Sequence, residues 1–65
     1  EELIDLDEKL DELAQLNERL AKVVELRFFG KLTIYQTAQA LDVSESTVKR
    51  DWAKARGWLY KELEN

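Results

Sequence analysis

The chain has 65 residues, a formal net charge of −4, and no cysteine, histidine or proline. Without cysteine there is no disulfide frame or thiolate metal site, and without histidine most catalytic and zinc chemistry is excluded. So short a chain buries one limited core, and the absence of proline favours uninterrupted helices.

Along the chain, Asp5 and Glu8 fit a capping box for a helix over residues 6–15 that carries Leu6, Leu10 and Leu13. Asn17 is a good cap for a second helix over 18–29, running through Leu20, Val23, Val24 and Leu26 to Phe28, with Gly30 as its stop. Thr33 followed by Gln36 fits a second capping box and opens a helix over 34–41, in which the small Ala38 leaves room for another helix to cross. The tight segment Leu41-Asp42-Val43-Ser44 follows. Ser44 restarts the helix over 45–63, Glu45 sits at the positive end of its dipole, and Val43 can staple onto Val48.

In this last helix Val48, Trp52, Ala55 and Leu59 recur at spacings of four, three and four, an apolar stripe that marks the core face. Trp52 and Phe28 are expected in the core. Ser46, Lys49, Arg50 and Ala53 lie away from that stripe, with Lys54 and Arg56 on the flanks. The fold class is therefore all-α: a small four-helix domain with a C-terminal helix-turn-helix, of the winged-helix-like DNA-binding class but without a wing. Leu6, Leu10, Leu13, Asn17, Leu20 and Val24 also fit a heptad seam, but it lasts under three heptads and then meets Arg27. Asn17 is better used as a cap.

The charge is polarised. Residues 1–29 hold nine acids and four bases, net −5, whereas residues 43–61 hold five bases and two acids, net +3. Phosphate would repel the acidic half and attract the basic helix, so the domain is oriented with its last helix toward DNA. Lys49 and Arg50 are the strongest candidates to reach base edges or phosphates, with Glu45, Ser46 and Thr47 near the groove. Lys54 and Arg56 fit phosphate contact or a solvated face. Lys31, Thr33 and Tyr35, near the start of the preceding helix, are placed to touch the backbone. No convergent catalytic set stands out, no metal or cofactor site is expected, and no small-molecule substrate is implied. No apolar run reaches membrane-spanning length and the acidic start does not resemble a secretory signal, so a cytoplasmic protein without membrane partners is expected.

Leu26-Arg27-Phe28-Phe29-Gly30, Leu32-Thr33, Ala38 through Leu41-Asp42-Val43-Ser44, Thr47-Val48-Lys49-Arg50 and Ala55-Arg56 resemble, in order and spacing, one known family. This is the C-terminal region 4 domain of bacterial sigma factors, above all the extracytoplasmic-function (ECF) group, and the resemblance runs from about Asp5 to Leu63. Lys49-Arg50-Asp51-Trp52 looks like a variant found in one subset.

The resemblance implies an adaptor, not a catalyst. Its last helix would recognise the minus-35 promoter element, and the domain would dock on the flap of the RNA polymerase β subunit. Leu10, Leu13, Leu26 and Phe29 are expected to form the apolar surface that receives the flap, and an anti-sigma factor is a further candidate partner. Full-length members also carry a region 2 domain, so residues 1–65 are read as one domain of a longer chain. Two departures stand out: Asp42 replaces a common glycine, and Lys49-Arg50-Asp51 replaces a common Lys-Ser-Arg, adding a negative charge to the last helix. A response-regulator output domain and a purely protein-binding helical module are the alternative readings.

Overall fold

A computed structural model describes residues 2–64, with side chains over residues 6–63. Helix α1 spans Glu2–Leu16, α2 spans Glu18–Val24 and continues into a π-helical turn over Glu25–Phe29, α3 spans Ile34–Leu41 and α4 spans Glu45–Glu64. No strand occurs among the described residues.

The first helix starts earlier than its expected cap, because the backbone is already helical at Glu2. Asp5 therefore lies inside α1, and its side chain is outside the described residues. Asn17 alone separates α1 from α2. Its N–H still donates to Leu13 O at 2.8 Å, while its Oδ1 accepts from the amides of Arg19 (3.0 Å) and Leu20 (3.3 Å). A residue that ends one helix and caps the next breaks the heptad seam and folds α1 back on α2.

Two apolar clusters result. Leu10, Leu13, Ala21, Val24, Ala55 and Leu59 join α1, α2 and α4, and Val23, Ala38 and Val48 join α2, α3 and α4. Trp52 packs against both. The expected stripe on α4 is thus the core face, and Val43 packs beside Val48 as a staple requires. Lys9 adds a polar clasp, donating to Glu62 at 3.4 Å across α1 and α4 and to Glu12 at 3.3 Å. Hydrogen bonding to Glu12, then to Glu62, holds the Lys9 ammonium above its ordinary pKa against the opposing effect of burial.

The second helix departs from a regular α-helix at Glu25. Gly30 N–H reaches back to Glu25 O at 2.9 Å and Leu32 N–H to Leu26 O at 3.0 Å, so this turn carries extra residues. In an α-helix Phe28 would fall on the buried stripe of Leu20 and Val24. The wider turn shifts it off that line, leaving Phe28 54% and Phe29 48% exposed, with their rings edge to face at 5.0 Å. Phe28 is therefore not a core residue. Gly30 does end the segment, but its φ of −80° is ordinary. Glycine is needed there because a Cβ would lie 2.8 Å from Leu26 O. The left-handed residue is Lys31, with φ 60°.

Candidate nucleic-acid interface

Hydrogen bonds local to the sequence set the helix-turn-helix. Thr33 Oγ1 accepts from Gln36 N and Gln36 Oε1 from Thr33 N, each at 3.0 Å, completing the capping box. The fully buried Thr37 donates its hydroxyl to Thr33 O at 2.8 Å, so it brings no unpaired polar group into the core. At the far end of α3, Asp42 takes φ 58°, ψ 46°, and its N–H and that of Val43 return to Gln39 O and Ala38 O. This is a Schellman stop with aspartate in the usual glycine position. Ser44 Oγ then accepts from Thr47 N at 3.1 Å and starts α4.

The exposed face of α4 carries Ser46, Lys49, Arg50, Ala53 and Lys54, with Glu45 exposed at its start. Thr47 is half-buried. Its Oγ1 accepts from Ser44 Oγ at 3.0 Å and from Arg50 Nη2 at 3.4 Å, drawing the Arg50 guanidinium toward the helix start. Lys49 extends to the other side of the same face, with the small Ser46 and Ala53 between the two cations. Thr33 is exposed, but its N–H and hydroxyl oxygen are used in the capping box. Tyr35 is 56% exposed, and its oxygen accepts from Gln39 Nε2 at 2.8 Å, leaving the phenolic hydrogen free to donate outward.

Arg56 stands apart from this group. Its guanidinium lies 5.5 Å from the centre of the Trp52 ring, and it lines an apolar groove of about 290 Å³ with Leu6, Val24, Phe28, Trp52, Leu59, Tyr60 and Leu63. Arg27 also lies over Trp52, at 5.2 Å, and donates to Leu32 O at 2.8 Å. The groove lies between α1, the π-turn and the C-terminal half of α4.

Two of the four expected flap-binding residues require correction. Leu13 is 1% and Leu10 8% exposed, because both face α2 and α4 inside the first cluster. Leu26 is half-buried and Phe29 exposed. Phe29 and the edge of Leu10 meet Asp7, Asp11 and Glu25 in an acidic concavity separate from the apolar groove. The apolar surface instead includes Phe28, Tyr60 and Leu63, which are 54%, 67% and 45% exposed.

The negative charge at Asp51 also does not join the basic face. Asp51 is 4% exposed, and Arg19 of α2 grips it through Nε–Oδ2 at 2.5 Å and Nη2–Oδ1 at 3.3 Å. Hydrogen bonding and charge attraction from Asp51 hold the Arg19 guanidinium above its ordinary pKa. The helical wheel carries the signal for this: Asp51 lies three residues after Val48 and four before Ala55, within the buried stripe. Its partner, 32 positions earlier, leaves no such trace.

Two short-connected helices, α3 and α4, joined by a turn that is capped on both sides have the form of a helix-turn-helix. The family model for ECF sigma factors matches residues 1–65, and the chain belongs to that family. No curated protein and no solved structure matched it. Membership makes it a sigma-type transcription factor, one that binds DNA, associates with RNA polymerase and serves in transcription initiation. The family acts as a transcription factor, not an enzyme.

Proposed function

We propose that the chain is a sigma region 4 domain that reads the minus-35 promoter element with α4 and docks on the RNA polymerase β-flap through the apolar groove behind it. The reading rests on one observation: the basic face of α4 and the groove beneath Phe28 and Tyr60, which α4 lines together with α1 and the π-turn, are separate surfaces. A domain so built can hold DNA and polymerase together. Lys49 and Arg50 face the major groove and Glu45 can accept from a cytosine N4. Lys54 serves phosphate, while Thr33 and Tyr35 face the backbone beside α3. Arg56 belongs to the docking groove.

Three phosphate contacts, at Lys49, Arg50 and Lys54, give a log–log salt slope of about −2.7, short of large dimeric repressors, so further contacts, from polymerase above all, supply the remaining affinity and the register. Such a domain works in the cytoplasm, where an anti-sigma factor would compete for the same two surfaces.

The test is a titration with an isolated β-flap fragment, followed by Trp fluorescence, since Trp52 lines the groove. Saturable one-to-one binding that is lost in Phe28→Ala and kept in Lys49→Ala supports the reading. No binding by a domain that still shifts duplex DNA removes the flap and favours a response-regulator type of output domain.

A further inference from the structure

Among the described residues, Arg19–Asp51 is the ion pair that ties α4 to α2, and neither residue belongs to the basic face of α4. Asp51 is buried while the Arg19 side chain is 48% exposed. The carboxylate is sunk in the core face and the guanidinium stays half in solvent, with Nε and Nη2 engaged and no hydrogen bond from Nη1 among the described residues.

The place of the pair follows from helix geometry. At about 100° per residue, Asp51 neighbours Thr47 and Lys54 on α4, and Lys54 in turn lies one turn from Arg50. Arg19 therefore meets α4 on the flank that carries Thr47, Arg50 and Lys54. The opposite flank, at Val48 and Trp52, is where α3 packs. A helix of roughly 10–12 Å diameter fills a major groove about 12 Å wide, so a phosphate strand borders it on each side. The start of α3, with Thr33 and Tyr35, meets one strand.

We infer that Arg19 is a phosphate-binding residue on the other strand, and that Asp51 is the positioning residue that fixes its guanidinium there. This rests on reading α4 as the DNA-recognition helix. Arg19 then takes the fourth phosphate contact that Arg56, committed to Trp52, does not make. The carboxylate holds the fork through Nε and Nη2 and leaves the remaining N–H donors on a guanidinium that is already ordered, which lowers the ordering cost of contact.

The experiment measures binding of the chain to a short labelled duplex between about 50 and 200 mM salt. The wild-type slope should be about −3.6, and Arg19→Gln should reduce it to about −2.7 with sequence preference unchanged. Arg56→Gln should leave it near −3.6. Because Arg19→Gln strands a buried carboxylate, the decisive variant is Arg19→Met with Asp51→Leu, which removes the pair, keeps the net charge and fills the same space. Its slope should also fall to about −2.7 while circular dichroism stays helical. A folded double variant with the wild-type slope overturns the inference and makes the pair a structural tie. A wild-type slope near zero instead defeats the DNA reading itself, so the two failures are distinguishable.

Discussion

The two turns that flank α3 reverse the chain by different means. Before α4, Asp42 and Ser44 do the work with bonds reaching no further than five residues: the Schellman pair to Ala38 and Gln39, then the serine cap on Thr47. Before α3, the chain opens into a π-turn, passes a glycine that no other residue could replace without displacing Leu26 O, and takes a left-handed lysine. That second turn is tied from outside, since Arg27 donates to Leu32 O and also lies over Trp52 of α4. One turn is fixed by its own residues and the other by the body of the protein. The first presents the basic face of α4, the second the aromatic rim of the apolar groove.

The largest effect expected is at the residue that joins the two regions. Trp52 packs against both clusters and under both arginines, so Trp52→Ala should cost about 3–5 kcal/mol. A domain of this size has about 3–10 kcal/mol in all. The variant should therefore lose much of its helical circular dichroism near room temperature. Retention of a full cooperative transition within a few degrees of the wild type would show that the clusters hold independently.

Gly30→Ala separates the turns more narrowly. The new Cβ would meet backbone, not a flexible side chain, and forcing that shift should cost about 1–3 kcal/mol. Because the π-turn carries Phe28, flap binding should weaken along with thermal stability, while DNA binding by the folded fraction stays intact. Equal loss of both activities would mean that the two turns are coupled.

Gly57 gives the opposite sign. It lies inside α4, its φ is ordinary, and a Cβ there would meet nothing within 4 Å. Gly57→Ala should then stabilise by about 0.5–1 kcal/mol through helix propensity alone. A loss of stability on thermal melting would show that residue 57 is more closely packed within the chain than the open space around it implies. Nothing in the fold explains why glycine stands there.

The same contrast explains which parts of the molecule could be read from the sequence. Asn17, Thr33 with Gln36, Asp42 and Ser44 are caps whose partners lie within a few residues, so their types and spacing announce the helix ends. The Val48–Leu59 stripe is equally periodic. The exposure of Phe28 and the burial of Leu10 and Leu13 depend on the π-turn and on how α1 folds back, both decided by packing among distant residues. The basic residues of α4 were legible as a group, but Arg56 left it for Trp52, and the orientation of Arg19 toward Asp51 needed the fold.

The smallest effect tests whether the local turn is as self-sufficient as its bonds suggest. Asp42 pays for a left-handed conformation that costs an ordinary L-residue roughly 1–2 kcal/mol, and aspartate less because its short polar side chain can bond locally. Glycine would remove that cost but add unfolded-state entropy of about 0.5–1 kcal/mol. These terms nearly cancel, so Asp42→Gly should shift stability by only a few tenths of a kcal/mol, toward stabilisation. Asp42→Ala keeps the strain and loses the carboxylate, and should fall below both. The expected order of melting temperatures is glycine at or slightly above aspartate, with alanine lowest. Alanine equal to aspartate would mean that the side chain contributes nothing to the turn and that packing of α3 on α4 holds residue 42 left-handed. In that case the turn before α4 would be fixed from outside, as the turn before α3 is.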